Sequence, residues 1–294
     1  MQLNLTLFPH LESLLNLHEK TGQQPDNLCG PYWVSLLLQA YGELSVTAVD
    51  VALAAATVLP SQGNPADWLP PGATSRQGPN YDRIPTSPDI DACGTSITGL
   101  IRATEKLSQD RFCLVPLQAT NWIDGLRVIW ELCYTHPDWQ AVPLLNPNTS
   151  YFWGSQLTPV ELATYLQTGQ LSSPPADWAV GHFALLVGQL RGGVNRTVLD
   201  GVNEISGDAS LAPLPVVNGN APVLYAVLDT YPHFGWHGLH LQPPTALAPS
   251  LQRPHQSTQG GIALFVATEV RPHLITSIEN AGLQIAPWDN GSPA

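Results

Sequence analysis

In QQPDNLCGPYW, residues 23–33, a cysteine follows a polar turn and opens an apolar run, VSLLLQAYG. The thiolate is the reactive form of cysteine, and the unpaired N–H groups and dipole of a helix N-terminus favour that anion. Cys29 therefore stands where a nucleophile would. Pro31 suits a first helical turn, and Gly30 keeps side-chain bulk away from the sulfur. A thiol nucleophile needs a base. His182, in WAVGHFALLVGQL, opens the most convincing strand-like run with Gly181 beside it, so its imidazole can project from a sheet edge towards a facing helix. The imidazole in turn needs a carboxylate to hold its tautomer. Two follow at strand ends, Asp200 in RTVLDGV and Asp229 in YAVLDTYP. Asp200 is nearer, as in a hairpin. Asp229 closes the stronger apolar run and leads into the aromatic- and histidine-rich DTYPHFGWHGLHLQ, and is preferred. A side-chain amide and a backbone N–H commonly hold the oxyanion of acyl transfer. Gln23, with Gln24 next to it, lies just ahead of Cys29, and Gln23 is the expected donor.

These groups need a scaffold. Apolar periodicity predicts helices over residues 8–20, 30–41, 46–58, 94–108, 121–136, 157–169 and 244–253. Gly42 is placed to end the second, Asn121 to cap the fifth and Thr158 to cap the sixth. Strands are predicted at FCLVPL, AVPLLNPN, GHFALLVGQL, NRTVLDGV, VLYAVLD and GIALFVA. The first half reads as mostly helical and the second as mostly β, which predicts an α+β fold with the cysteine helix packed on an antiparallel sheet. Residues 59–92, dense in Pro, Gly and Ser, contain Trp68, Tyr81 and Arg83 and read as a packed loop rather than a free linker.

Gln23, then DNLCG, an aromatic and a helix, followed by GHFALLVG and a strand ending in Asp, resembles a papain-like cysteine peptidase. The resemblance is closest to the bacteriocin-processing peptidases that cut double-glycine leaders. The LCGP, GTSITGL and DTYP elements resemble a bacterial subfamily of that group, to which no activity is attached. It implies a papain-like domain over residues 1–294 with a large insertion, about 43–180, between the cysteine helix and the histidine strand. It also implies Cys29 as nucleophile, His182 as base, Asp229 as orienter and Gln23 as oxyanion donor, with a covalent acyl-enzyme on a peptide or amide. Hydrolysis and acyl transfer share the first half-reaction. The alternative is an inactive papain-like module that binds a peptide or protein.

Composition narrows the partners. The net charge is −12 with only two lysines, Lys20 and Lys106, which argues against nucleic acid and anionic membrane surfaces. No apolar run of about 18 residues occurs, and MQLNLTLFPHLESLL lacks the basic start and cleavage site of a signal peptide. A cytoplasmic protein with reduced thiols is expected. Of the other cysteines, Cys113 and Cys133 lie in core-like runs, and Cys93 in DACGTS is read as structural. No CxxC pair occurs, and His233, His237 and His240 lack an acidic or Cys partner at fixed spacing, so no metal and no cofactor are expected. Trp153, Tyr231 and Trp236 are expected to wall the substrate cleft.

Overall fold

The computed structural model describes residues 2–153, 159–170, 178–193, 223–232, 234–254 and 256–292. The chain opens with β1 (Gln2–Leu7), α1 (Glu12–Thr21), α2 (Cys29–Gly42), α3 (Ala48–Ala54) and the short β2 (Leu59–Pro60) and β3 (Thr86–Ser87). Next come α4 (Ile97–Ser108), β4 (Phe112–Gln118), α5 (Trp122–Thr135), β5 (Val142–Leu145) and α6 (Pro159–Thr168). The remainder is β6 (Ala184–Gly193), β7 (Val223–Leu228), β8 (Leu239–Gln242), α7 (Pro244–Gln252), β9 (Ile262–Ala267), α8 (Arg271–Asn280) and β10 (Gln284–Ile285).

An eight-stranded sheet runs in the order β10-β4-β9-β5-β6-β7-β8, with β1 paired to the far half of β6. All its pairings are antiparallel. The fold is α+β, as the pattern predicts. The division into a helical and a β half is less clean than expected, because β1, β4 and β5 of the first half belong to the sheet. Within residues 43–180, β4 and β5 sit inside the sheet, and one hydrophobic cluster runs from Phe8 to Trp288. The strand expected at NRTVLDGV and the Thr158 cap lie outside the described residues.

α2 is the central helix. Tyr32, Trp33, Val34, Leu36, Leu37 and Leu38 are all buried, so it is apolar on nearly every side, as a helix enclosed by protein must be. Its closing residue differs from expectation: Gly42 is the last helical residue and Glu43 takes the left-handed cap conformation, φ 53°. A Cβ on Gly42 would lie 3.1 Å from the Phe112 ring, so this glycine serves close packing. Asn121 caps α5 as expected, accepting from Ile123 N at 2.9 Å.

The register delivers several chain segments to one end of the sheet. Leu185 pairs with Leu228, so the start of antiparallel β6 lies beside the end of β7. Leu145 pairs with Ala184 and Ile262, and Leu228 with Leu239, which adds the end of β5 and the starts of β9 and β8. α2 reaches this end of the sheet where Trp33 Nε1 donates to Phe183 O, 3.1 Å. Gly30 makes the approach possible: a Cβ there would sit 2.8 Å from Leu100 and 3.0 Å from Phe183. Room for the helix on the sheet, more than room for the sulfur, explains this glycine. Gly30→Ala is expected to destabilise the fold by about 1–3 kcal/mol, the usual cost of overpacking, read as a lower denaturation midpoint at unchanged slope.

Candidate active site

Cys29 is the first residue of α2, and Leu28 before it supplies no side-chain cap. The leading N–H groups of the helix are therefore donors without a capping side chain, suited to a developing anion. The preceding turn is held by buried Asp26, which accepts from Ser75 Oγ at 2.5 Å and Arg76 N at 3.0 Å. Arg76 also donates to the carbonyls of Thr21 and Gln23.

His182 lies just before β6 and is held through its backbone. Its N–H donates to Pro147 O at 2.9 Å, and its carbonyl accepts from Asn146 Nδ2 at 3.3 Å. Asn146 is itself fixed by buried Arg253, which donates to Asn146 Oδ1 at 2.6 Å and to its carbonyl at 3.1 Å. Burial without a carboxylate partner among the described residues pushes the Arg253 guanidinium down to about 10.

Asp229 directly follows β7 and has 0% exposure. Its Oδ1 lies 3.2 Å from His182 Nε2 and accepts from Tyr231 N at 3.0 Å, with Thr230 Oγ1 at 3.4 Å. His182 Nε2 is thereby occupied, which leaves Nδ1 for Cys29, with whose side chain His182 interacts. Burial favours neutral forms at both members of the pair. It is outweighed at His182, where the Asp229 carboxylate and the Cys29 sulfur raise the imidazole well above its ordinary value. It is outweighed at Asp229 too, where the His182 charge and hydrogen bond hold the carboxyl far below the usual range. Trp178 and Tyr231 shield the pair, their ring centroids 5.0 and 5.9 Å from the imidazole.

Cys29 and His182 line one cleft, with a volume of about 330 Å³. Gln24, Asn27 and Tyr231 line it near the cysteine, and Asn146, Trp178 and Val180–Phe183 near the histidine. Pro60, Trp68, Ile90 and Cys93–Thr95 form another wall, so the 59–92 loop packs onto the cleft. Asn290–Ser292 complete it.

Of the residues expected from sequence, Cys29, His182, Asp229 and Tyr231 come together. Asp200 lies outside the described residues. Gln23 is a correction: its amide donates to Thr74 O at 2.6 Å, away from the cleft. Gln24, anchored by its N–H to Thr230 O at 3.2 Å, faces inward and donates to the Tyr231 hydroxyl at 3.2 Å. Trp153 is also corrected, because it packs in a separate apolar cluster with Tyr165, Leu166, Leu190 and Leu224. Trp236 is 73% exposed on the turn before β8 and does not line the cleft. Cys113 and Cys133 are buried, and burial pushes Cys133 up to about 12, whereas Cys93 lies on the cleft wall. Among the described residues, no three His, Cys, Asp or Glu side chains converge as metal ligands, and no helix is long and apolar enough to cross a membrane. Sequence reasoning missed Gln24, Trp178, Asn146 and the Asn290–Ser292 wall. Only Gln24 carried a signal, its place beside Gln23.

The chain belongs to a family of unknown function, DUF6885, whose model matches residues 8–200 and 211–289. No curated protein matches it.

The electrostatics set a direction for titration. In Cys29→Ala the carboxylate remains, and His182 is expected to keep most of its upward shift. In Asp229→Asn the leading upward influence is gone and burial is opposed only by the Cys29 sulfur, so the His182 midpoint should fall. Imidazole NMR titration of the two variants checks this order.

Proposed function

We propose that this protein is a cysteine-nucleophile hydrolase or acyl transferase of papain-like architecture, acting on a peptide or small amide through a covalent acyl-enzyme. The observation that carries the reading is the cleft in which Cys29, at an uncapped helix start, meets His182, whose far nitrogen is held by buried Asp229. An imidazole raised by a carboxylate on one side can stay protonated beside a thiolate on the other.

In this reading the sulfur attacks the substrate carbonyl carbon. A C–S bond forms as the C=O π pair moves to oxygen, and the resulting oxyanion meets the Cys29 N–H and the second N–H of the Gln24 amide. The first amide N–H is already engaged by Tyr231. His182 passes its proton to the leaving amine as the C–N bond breaks. Water, or a second amine, then attacks the thioester. His182 accepts that nucleophile's proton, and the departing sulfur returns as thiolate beside the reprotonated imidazole. The cleft is shared by a loop wall bearing Trp68 and Ile90 and a segment carrying Asn290–Ser292, which suits a short peptide more than a bulky polymer.

Alkylation with iodoacetamide from about pH 4 to 9, read cysteine by cysteine by mass spectrometry, tests the nucleophile. Cys29 is expected to react first on the acidic side, ahead of buried Cys113 and Cys133, and to lose that reactivity in His182→Ala. Equal, alkaline-only reactivity of Cys29 in both proteins would remove the catalytic reading and favour the binding module. For the oxyanion site, acylation by an activated thioester should fall about 10²–10³-fold in Gln24→Ala and change little in Gln23→Ala, measured as the rate of adduct formation by intact mass.

A further inference from the structure

Asp229 has a second neighbour that the catalytic reading leaves unused. His240, in the middle of β8, points its Nε2 at Asp229 Oδ2 from 3.7 Å, and both atoms are buried with no hydrogen-bond partner among the described residues. On the ring's other side Nδ1 lies 3.0 Å from Gln242 Nε2. The orientation of that amide is fixed by a backbone: Gln242 Oε1 accepts from Trp153 N at 2.7 Å and its Nε2 donates to Trp153 O at 3.3 Å. Gln242 therefore presents an N–H to His240, so Nδ1 is the acceptor and the ring proton of the neutral imidazole sits on Nε2. That proton faces the Asp229 oxygen that no other group among the described residues engages.

We propose that His240 is a positioning residue, a neutral Nε2–H imidazole locked by Gln242 that holds Asp229 Oδ2 and so keeps Oδ1 on His182. The inference rests on the Cys29–His182–Asp229 reading. A carboxylate can swing about its Cβ–Cγ bond, and anchoring one oxygen fixes the other. A buried carboxylate oxygen without a donor also favours the protonated acid, which would cancel the charge that supports the imidazolium. Among the described residues, the remaining titratable groups that face Asp229 are of a different kind. His18 of α1 is pushed down to about 4 by burial, and Tyr32 of α2 and Tyr231 are pushed up by it. None of the three adds a positive charge beside the carboxylate near neutral pH. Phe152 and Phe234 pack on the His240 ring with centroids 5.1 and 5.3 Å away, so the ring also fills an aromatic slot. A test must separate that packing from the donated proton.

His240→Gln keeps an N–H near the Nε2 position, while His240→Phe keeps the aromatic packing and removes the donor. Two readouts are taken in the full chain: the rate of Cys29 alkylation at mildly acidic pH and the NMR titration midpoint of His182. H240Q is expected to retain most of the alkylation rate and the His182 midpoint. H240F is expected to lose about tenfold or more in rate and to shift the midpoint down, towards that of Asp229→Asn. Equal behaviour of the two variants, whether both resemble wild type or both fail, overturns the proposal. If wild-type Cys29 reacts as an ordinary thiol while H240F still lowers the His182 midpoint and H240Q does not, the nucleophile reading falls and the role of His240 stands.

Discussion

A carboxylate with no exposure to solvent sits at the junction of β7 and the following turn, and most of the surrounding architecture answers to it. Burying an ionised carboxyl without partners costs several kcal/mol, enough to neutralise it or unfold the region. Asp229 avoids this through the His182 ring, the Tyr231 N–H and the close approach of His240. Its own N–H is taken by Gly238 O at 2.7 Å, which closes the turn into β8. A Cβ at Gly238 would meet Asp229 O at 2.8 Å, and its φ of 86° is one that glycine adopts freely. The turn is therefore closed tightly on the Asp229 backbone, which fixes where its side chain starts.

The antiparallel sheet then does the assembling. Because β6 starts where β7 ends, a histidine before one strand and an aspartate after the other become neighbours despite their separation in sequence. β5 ends at the same level and brings Asn146, which Arg253 orients against the His182 carbonyl. The cysteine comes from the other layer. α2 is buried on almost all sides, so the position of its first residue is set by packing against Phe183 and Leu100, not by a flexible loop. A thiol at the start of a buried helix and an imidazole just ahead of a core strand are held in one geometry by packing, with little left for a ligand to order.

Much of this was legible in the sequence. The helix that starts at Cys29 and the apolar strands after His182 and before Asp229 carry strong periodicity, and such segments are placed by burial alone. The glutamine that faces the cleft lies one position beyond the one expected. Adjacent residues in an irregular turn point to different sides, and only the tether of Gln24 N to Thr230 O shows which side faces the cleft. Trp153 looked like a wall because aromatic clusters suit both cores and clefts; its neighbours Tyr165 and Leu224 come from distant segments that no local pattern joins. β1, β8, α8 and β10 were missed for a related reason: short edge strands and a weakly amphipathic helix owe their structure to neighbours. The tail that forms the Asn290–Ser292 wall is positioned by Trp288, buried against Gly261, a contact invisible at the level of sequence pattern.

The proposed charged pair between Cys29 and His182 can be read without a substrate through the ultraviolet absorbance of its thiolate. The spectrum of wild type minus Cys29→Ala, recorded near pH 5 where an ordinary thiol of pKa about 8.5 is protonated, should show a thiolate band that His182→Ala abolishes. A difference spectrum that stays empty until the pH passes about 8.5 would mean that the cysteine is an ordinary thiol and that the cleft performs no thiolate chemistry.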